Sequence, residues 1–287
     1  MCLTIRVADV VNDAIKKAKK IATQTALVLS LAKELRRELP RTGTLKLYPD
    51  MKPSLELKGV KIGRDKVHNI LKNNDLIIKP RKNYVTTTDS KHHFRKHKNL
   101  IKDLFISKPE QAFVCDITYI RIKKKFAYLF LVTDAYSKKI MGWTINYTMK
   151  AKDGMKAIKV AHRNRRFKTN VFHHSDRGIQ YCTPSYINYC KKKGMVPSMT
   201  EDLHVYENAV AERINGILKS EFGIGLGFNS LKDARAVIRN SIDLYNNKRR
   251  HFSLHLLTPN FVHFNPGIII KTYKSKKIFT NKTPDFS

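Results

Sequence analysis

Three acids stand out in a chain otherwise rich in cations: Asp116 in FVCDITYI, Asp176 in HHSDRGIQY and Glu212 in YENAVAERINGILK. Residues 177–211, 35 in number, separate the second from the third. Each acid sits in an apolar stretch, where burying a carboxylate is costly unless a positive group compensates it. A divalent cation is the compact counter-ion. Brought together, three carboxylates could hold two such ions about 3.5 to 4 Å apart, the device that clamps the attacking and leaving oxygens of an in-line displacement at a phosphodiester. Oxygen-only ligation favours Mg²⁺ or Mn²⁺ over zinc. Taken singly, each acid also has a plain structural reading: Asp116 as an edge-strand acid, Asp176 as a turn residue, Glu212 as a helix-start acid. Asp202 and Glu207 are nearby acids that spacing does not separate from them. His173 and His174 are expected to pack or hydrogen-bond beside the acids rather than ligate.

The elements that must position these acids can be read from hydrophobic period. Residues 112–122, 126–137 and 140–149 are three consecutive β-type runs joined by Lys-rich turns, a meander of antiparallel strands. Period-two alternation puts Phe113, Cys115, Ile117 and Tyr119 on one face of the first, and Val114, Asp116, Thr118 and Ile120 on the other. A helix over 152–166 follows, then a strand ending at Val171-Phe172-His173-His174, a helix over 184–193, a short strand over 196–199, and a helix from Asn208 to Phe222. Asp176 falls just past a strand, expected at a sheet edge. Glu212 falls in the first turn of a helix for which Asn208 is the expected N-cap, where the helix dipole favours an acid. A last amphipathic helix spans 231–247. Strands first, then alternating α and β units, describe a mixed sheet with helices on its faces.

Upstream the pattern is helical. Residues 9–39 carry Val28, Leu31, Leu35 and Leu39 at helical spacing, and Pro40 ends the run. Two shorter helical patterns follow, the second over 64–74 with Arg64, Lys66, His68 and Lys72 around Val67, Ile70 and Leu71. This is the shape of a helix-turn-helix whose second helix could lie on DNA. Residues 77–98 are polar and basic, a linker. The expected organisation is a helical DNA-binding region with its basic linker over 1–98, an α/β catalytic core over 99–265, and a basic tail over 266–287.

Composition narrows the partners. Lys and Arg number 56 against 23 Asp and Glu, a formal net charge of +33, spread along the chain rather than confined to a tail. Such self-repulsion favours a long polyanion. A membrane is disfavoured, because the longest apolar run, 126–133, is far short of the roughly 20 residues a span needs. The first residues show no signal-peptide pattern, so the expected location is cytoplasmic. Cys2, Cys115, Cys182 and Cys190 form neither a C-x-x-C pair nor a disulfide framework. His93 and His97 stand four apart without the cysteines that would complete a zinc site.

In order along the chain, FVCDITYI, YLFLVTDAYSKKIMGW, HHSDRGIQYCTPSY, SMTEDLHVYENAVAERINGILKSEF and YNNKRRHFSLHLLTP resemble the catalytic chain of bacterial insertion-sequence transposases in the family named for insertion sequence three, relatives of retroviral integrases. Their motif is Asp, Asp, 35 residues, Glu. LKGVKIGRDKVHNILKNNDL resembles the helix-turn-helix that precedes the core in many members. The resemblance covers residues 99–262. It implies a ribonuclease-H-like fold with a mixed five-stranded sheet, Asp116, Asp176 and Glu212 as metal-binding catalytic acids, and two Mg²⁺ or Mn²⁺ ions. It implies Lys219 as a contact to element-end phosphates, with Arg64, Lys66 and Arg177 as further expected DNA contacts. It also implies cleavage at terminal inverted repeats, strand transfer into target DNA, homo-oligomers on DNA, an upstream helix-turn-helix partner protein and a place on the bacterial nucleoid. Phe113 stands where the family usually has Trp, and Glu207 where many members have Asp. Three rival readings fit parts of this pattern: a ribonuclease-H-like nuclease without strand transfer, an inactive remnant that only binds DNA, and a basic nucleic-acid scaffold.

Overall fold

A computed structural model of the chain describes residues 2–78, 93–167, 170–201 and 208–270, with side chains from residue 12 onward. Asp202, Glu207, most of the expected linker and the tail beyond residue 270 lie outside the described residues.

The helical head consists of α1 (Cys2–Glu38), α2 (Thr44–Leu57) and α3 (Arg64–Asn73). Apolar residues at helical spacing close it into its own core: Val28 and Ala32 of α1 meet Leu47, Met51 and Leu55 of α2 and Val67 and Leu71 of α3. Tyr48 donates to the Ile62 carbonyl at 2.9 Å and Arg36 to the Leu76 carbonyl at 2.7 Å, so the loops between the helices are pinned as well.

The second unit is built on five strands, β1 (Ala112–Ile122), β2 (Lys125–Asp134), β3 (Ile140–Asn146), β4 (Val171–Ser175) and β5 (Met195–Met199). Their order is β3-β2-β1-β4-β5: the first three form the expected antiparallel meander, and β4 and β5 add in parallel. β2 stops at Asp134, three residues before the run read from sequence. Asp134 there accepts from the Ser137 amide at 2.9 Å and closes a turn. Helices α4 (Ala151–Arg163), α5 (Ile179–Cys182) and α6 (Pro184–Lys192) cover one face, and α7 (Ala209–Glu221) and α8 (Leu231–Asn247) the other. The alternation of β1 explains both layers. Phe113, Cys115 and Ile117 enter the core with Ile158 and Tyr186, while Ile120 and Ile122 enter the core with Ile214, Leu218 and Tyr245.

α4 lies directly on β3. A Cβ at Gly142 would come 2.3 Å from the Ala157 carbonyl oxygen and 2.6 Å from the Ala161 nitrogen, both backbone atoms of α4. Gly142→Ala should therefore force the helix off the sheet and destabilise the core by about 1–3 kcal/mol, measured by denaturant unfolding. An unchanged midpoint would mean that α4 has room to shift.

A short helix, α9 (Pro259–Phe264), closes the end of the sheet where β1 begins. It starts on Thr258, whose hydroxyl accepts from the Phe261 amide. Its His263 is buried between two buried acids, 3.3 Å from Glu110 and 3.4 Å from Asp134. Burial pushes the imidazole down, but hydrogen bonds to Asp134 and Glu110 outweigh it and hold its pKa above the ordinary value. Among the described residues no helix is long and apolar enough to cross a membrane.

Candidate active site

The β1–β4 ladder pairs Phe113 with His173 and Cys115 with Ser175. Asp116 and Asp176 are the next residues on the two chains, so parallel pairing delivers them side by side. Asp176 is thus at the carboxyl end of an inner strand, since β4 lies between β1 and β5; the sheet-edge expectation is corrected. Its Oδ1 accepts from the Gly178 amide at 3.0 Å, and this tight turn aims the chain into α5.

α7 supplies the third acid. Glu212 is exposed in its first turn, on the stripe that also carries Asn208, Asn215 and Lys219. Two of these tie the helix to β1. Asn215 Nδ2 donates to Asp116 Oδ2 at 2.7 Å, and the Ile117 amide donates to Asp116 Oδ1 at 2.8 Å. Asn208 Nδ2 donates to the Cys115 carbonyl at 3.1 Å and makes no side-chain cap, so the expected N-cap is instead a strut between helix and strand. Sequence reading missed Asn215. Its position three residues after Glu212 was the available signal, because helical spacing puts the two on one face.

The electrostatics tie the acids together. Burial first, then the charge of Asp176, raise the Asp116 carboxyl from 3.8 to about 7; Glu212 adds to the rise, and the hydrogen bonds from Ile117 and Asn215 oppose it. Glu212 is raised by desolvation and then by Asp176. Such mutual elevation is the behaviour of like charges sharing a poorly solvated volume. Among the described residues no group of three or more His, Cys, Asp or Glu side chains is arranged to hold a metal ion. The donor set nevertheless fits a hard divalent cation. It is all oxygen, and Asp116 accepts one described hydrogen bond on each oxygen, leaving further lone pairs for ligation.

His173 and His174 both hydrogen-bond to neighbouring side chains. His173 Nε2 lies 2.9 Å from the Tyr186 hydroxyl and its pKa is driven down to about 4 by burial, while His174 Nδ1 lies 2.9 Å from Ser198 Oγ. Lys219 is partly buried; burial lowers its pKa and the charge of Asp116 partly offsets this, so the ammonium lies within electrostatic reach of Asp116. Arg177 follows Asp176 directly and is partly buried. Arg64 and Lys66 lie elsewhere, exposed on α3 of the head, with Arg64 Nη2 2.7 Å from Asp65 Oδ1.

An acid inside one strand, a second just past the end of the parallel strand beside it, and a third on a helix packed against the first strand are the arrangement of an integrase-type catalytic core. Residues 106–203 match the family described as Integrase core domain, and residues 193–259 match a second family of that description. The chain is 32% identical over 211 residues to the "Insertion element IS600 uncharacterized 31 kDa protein" of Shigella sonnei, covering 73% of this chain and 78% of that protein. It is 35% identical over 153 residues to "Transposase InsF for insertion sequence IS3A" of Escherichia coli K12, covering 53% of each. A putative transposase for insertion sequence element IS986/IS6110 of Mycobacterium tuberculosis is 33% identical over 147 residues, 49% of this chain and 53% of that one. The match spans about half the length of these last two relatives. Among solved structures, a chain of the simian T-cell lymphotropic virus intasome shares the fold, with 16% identity, a TM-score of 0.50, and coverage of 80% of this chain and 76% of that chain. The chain belongs to the insertion-sequence transposases with an integrase core, in the family named for insertion sequence three.

Proposed function

We propose that this chain cuts DNA at the ends of its insertion sequence to free 3′ hydroxyls and joins those hydroxyls to a second DNA. The observation that carries the reading is geometric: β1–β4 pairing sets half-buried Asp116, inside β1, beside Asp176 just past β4, and Asn215 ties α7, the helix of Glu212, to the same carboxylate, whose pKa the charges of both other acids raise. These three carboxylates would hold two Mg²⁺ or Mn²⁺ ions, which when bound supply an activated oxygen nucleophile and neutralise charge on the leaving oxygen. The chain's own residues do the positioning. Asn215 and the Ile117 amide fix the orientation of the Asp116 carboxylate. Lys219, two helical turns beyond Glu212 on the same face, sets a positive charge beside the acids for a phosphate of the element end.

In this reading residues 1–98 contribute end preference through Arg64 and Lys66 on α3, Arg177 adds a phosphate contact, and residues 266–287 add a basic tail. The residue assignments and the domain bounds of 1–98, 99–265 and 266–287 rest on position in the motif and on the separate head and core. The upstream helix-turn-helix partner and homo-oligomers on DNA rest on family resemblance. Incubating the purified chain with Mg²⁺, a labelled element-end duplex and a target plasmid should yield both nicked ends and end–target joined product. Nicking without any joined product, under conditions where target DNA is bound, would assign the site to a hydrolytic nuclease instead.

A further inference from the structure

The head and the core share no apolar cluster among the described residues. Every member of the head's core falls within residues 27–77, and the other clusters draw only on residues from 94 onward. What crosses between them is charge. Lys248, just past α8, reaches Glu38 at the end of α1 with its ammonium 2.5 Å from Oε2. Arg250 Nη2 and Nε lie 2.6 and 2.7 Å from Asp50 Oδ1 of α2. Lys46 of α2 stands 3.7 Å from Glu221 Oε1 at the end of α7 and 5.4 Å from the Phe252 ring. Between the two docking cations, Arg249 turns inward and grips Glu221 at 2.6 and 2.7 Å. Lys248, Arg249 and Arg250 thus take three acids from three different helices, in a chain that has only 23.

We propose that the strip 248–252 is a switchable dock for the helical head, closed by Glu38, Asp50 and Lys46 in the free chain and opened when nucleic-acid phosphates take Lys248 and Arg250. Four features support it. The Lys248–Glu38 pair is half-exposed on both sides, 50% and 52%, and such pairs are weak and screened by salt. Among the described residues no shared apolar core holds the two units together if the pairs break, so relative motion is the default once they do. Phosphate competes for the same two cations, and counterion release favours the polyanion over isolated carboxylates. The dock ends on Glu221, on the helix that carries Glu212 and Lys219, so opening the head removes Lys46 from the far end of the catalytic helix. The proposal rests on the nucleic-acid binding argued above and is independent of catalysis.

Carbodiimide coupling of amines to touching carboxylates, read by peptide mass spectrometry on the full chain, tests it directly. Without DNA at low salt, Lys248–Glu38 and Lys46–Glu221 links should form within one chain, which a mixture of isotopically light and heavy protein verifies. Saturating random-sequence duplex, with binding followed by anisotropy, should lower both links several-fold while the Lys52–Glu56 link inside α2 stays constant. Asp50→Arg alone should reduce both links in the free chain, and Asp50→Arg combined with Arg250→Asp should restore them. Links absent from the free chain, links found between light and heavy copies, or links unchanged under bound duplex would each overturn the switch. Failure to bind duplex at all would overturn the DNA reading together with it.

Discussion

Asp116→Asn, Asp176→Asn and Glu212→Gln should each reduce nicking and joining to background while leaving duplex affinity within about twofold of wild type. Affinity in so basic a chain comes from Lys and Arg contacts to phosphates, to which the acids contribute nothing attractive. Their loss removes metal ligation instead, and with it the activation of nucleophile and leaving group. Asn215→Ala supplies a graded control. It leaves every proposed ligand in place and frees only one oxygen of Asp116, so it should cost about 10–100-fold in rate or in the Mg²⁺ concentration needed. Gel-based cleavage and strand-transfer assays beside anisotropy titrations read both quantities. Near-wild-type nicking by any of the three acid variants would take that residue out of the site.

The second large effect is on stability, through pH and metal together. With its folded-state pKa raised to about 7 from 3.8, Asp116 prefers to be protonated in the fold. The stability it contributes is fully present below pH 4 and is lost as pH rises through 7, by roughly 4 kcal/mol at most at about 1.4 kcal/mol per pH unit of displacement. Divalent cations bind the ionised form and reverse that loss, adding about 2.7 kcal/mol at a hundredfold excess over Kd. Thermal melts in EDTA, Mg²⁺, Mn²⁺ and Ca²⁺ at pH 6 and pH 8 should therefore show the largest metal gain at pH 8. Asp116→Asn should lack most of the pH slope belonging to this group and gain little from metal. Asp176→Asn, relieved of one repelling charge, should be no less stable than wild type in EDTA. A wild-type melting temperature indifferent to all three cations at both pH values, with and without an element-end duplex, would mean that the acids do not converge.

Much of this was legible because the informative signals are local. Alternation in FVCDITYI placed β1 at the residues it occupies, and helical period over 208–222 recovered α7 to within a residue of each end. The three proposed acids stood out because an acid in an apolar run is anomalous, and their order and spacing resemble a family signature. What failed was non-local. Asp176 was expected at a sheet edge because nothing in a five-residue strand says which strands flank it; the crossover that seats β4 between β1 and β5 decides that. Asn208 has a good capping residue's side chain, yet the Cys115 carbonyl 93 positions upstream claims its amide. The buried grouping of Glu110, Asp134 and His263 draws on positions 24 and 129 apart in sequence. The short α5 and α9 left too few residues for a period to register.

One bond described above makes the site behave as a mechanism with a single moving part. Asn215, which steadies Asp116, and Glu212, which completes the acids, are fixed one turn apart on the same rod. A slide or roll of α7 by a fraction of a turn would therefore withdraw the third acid and unclamp the first in the same motion. Whatever holds the other end of the rod, where Glu221 is gripped by Arg249, sits at the handle.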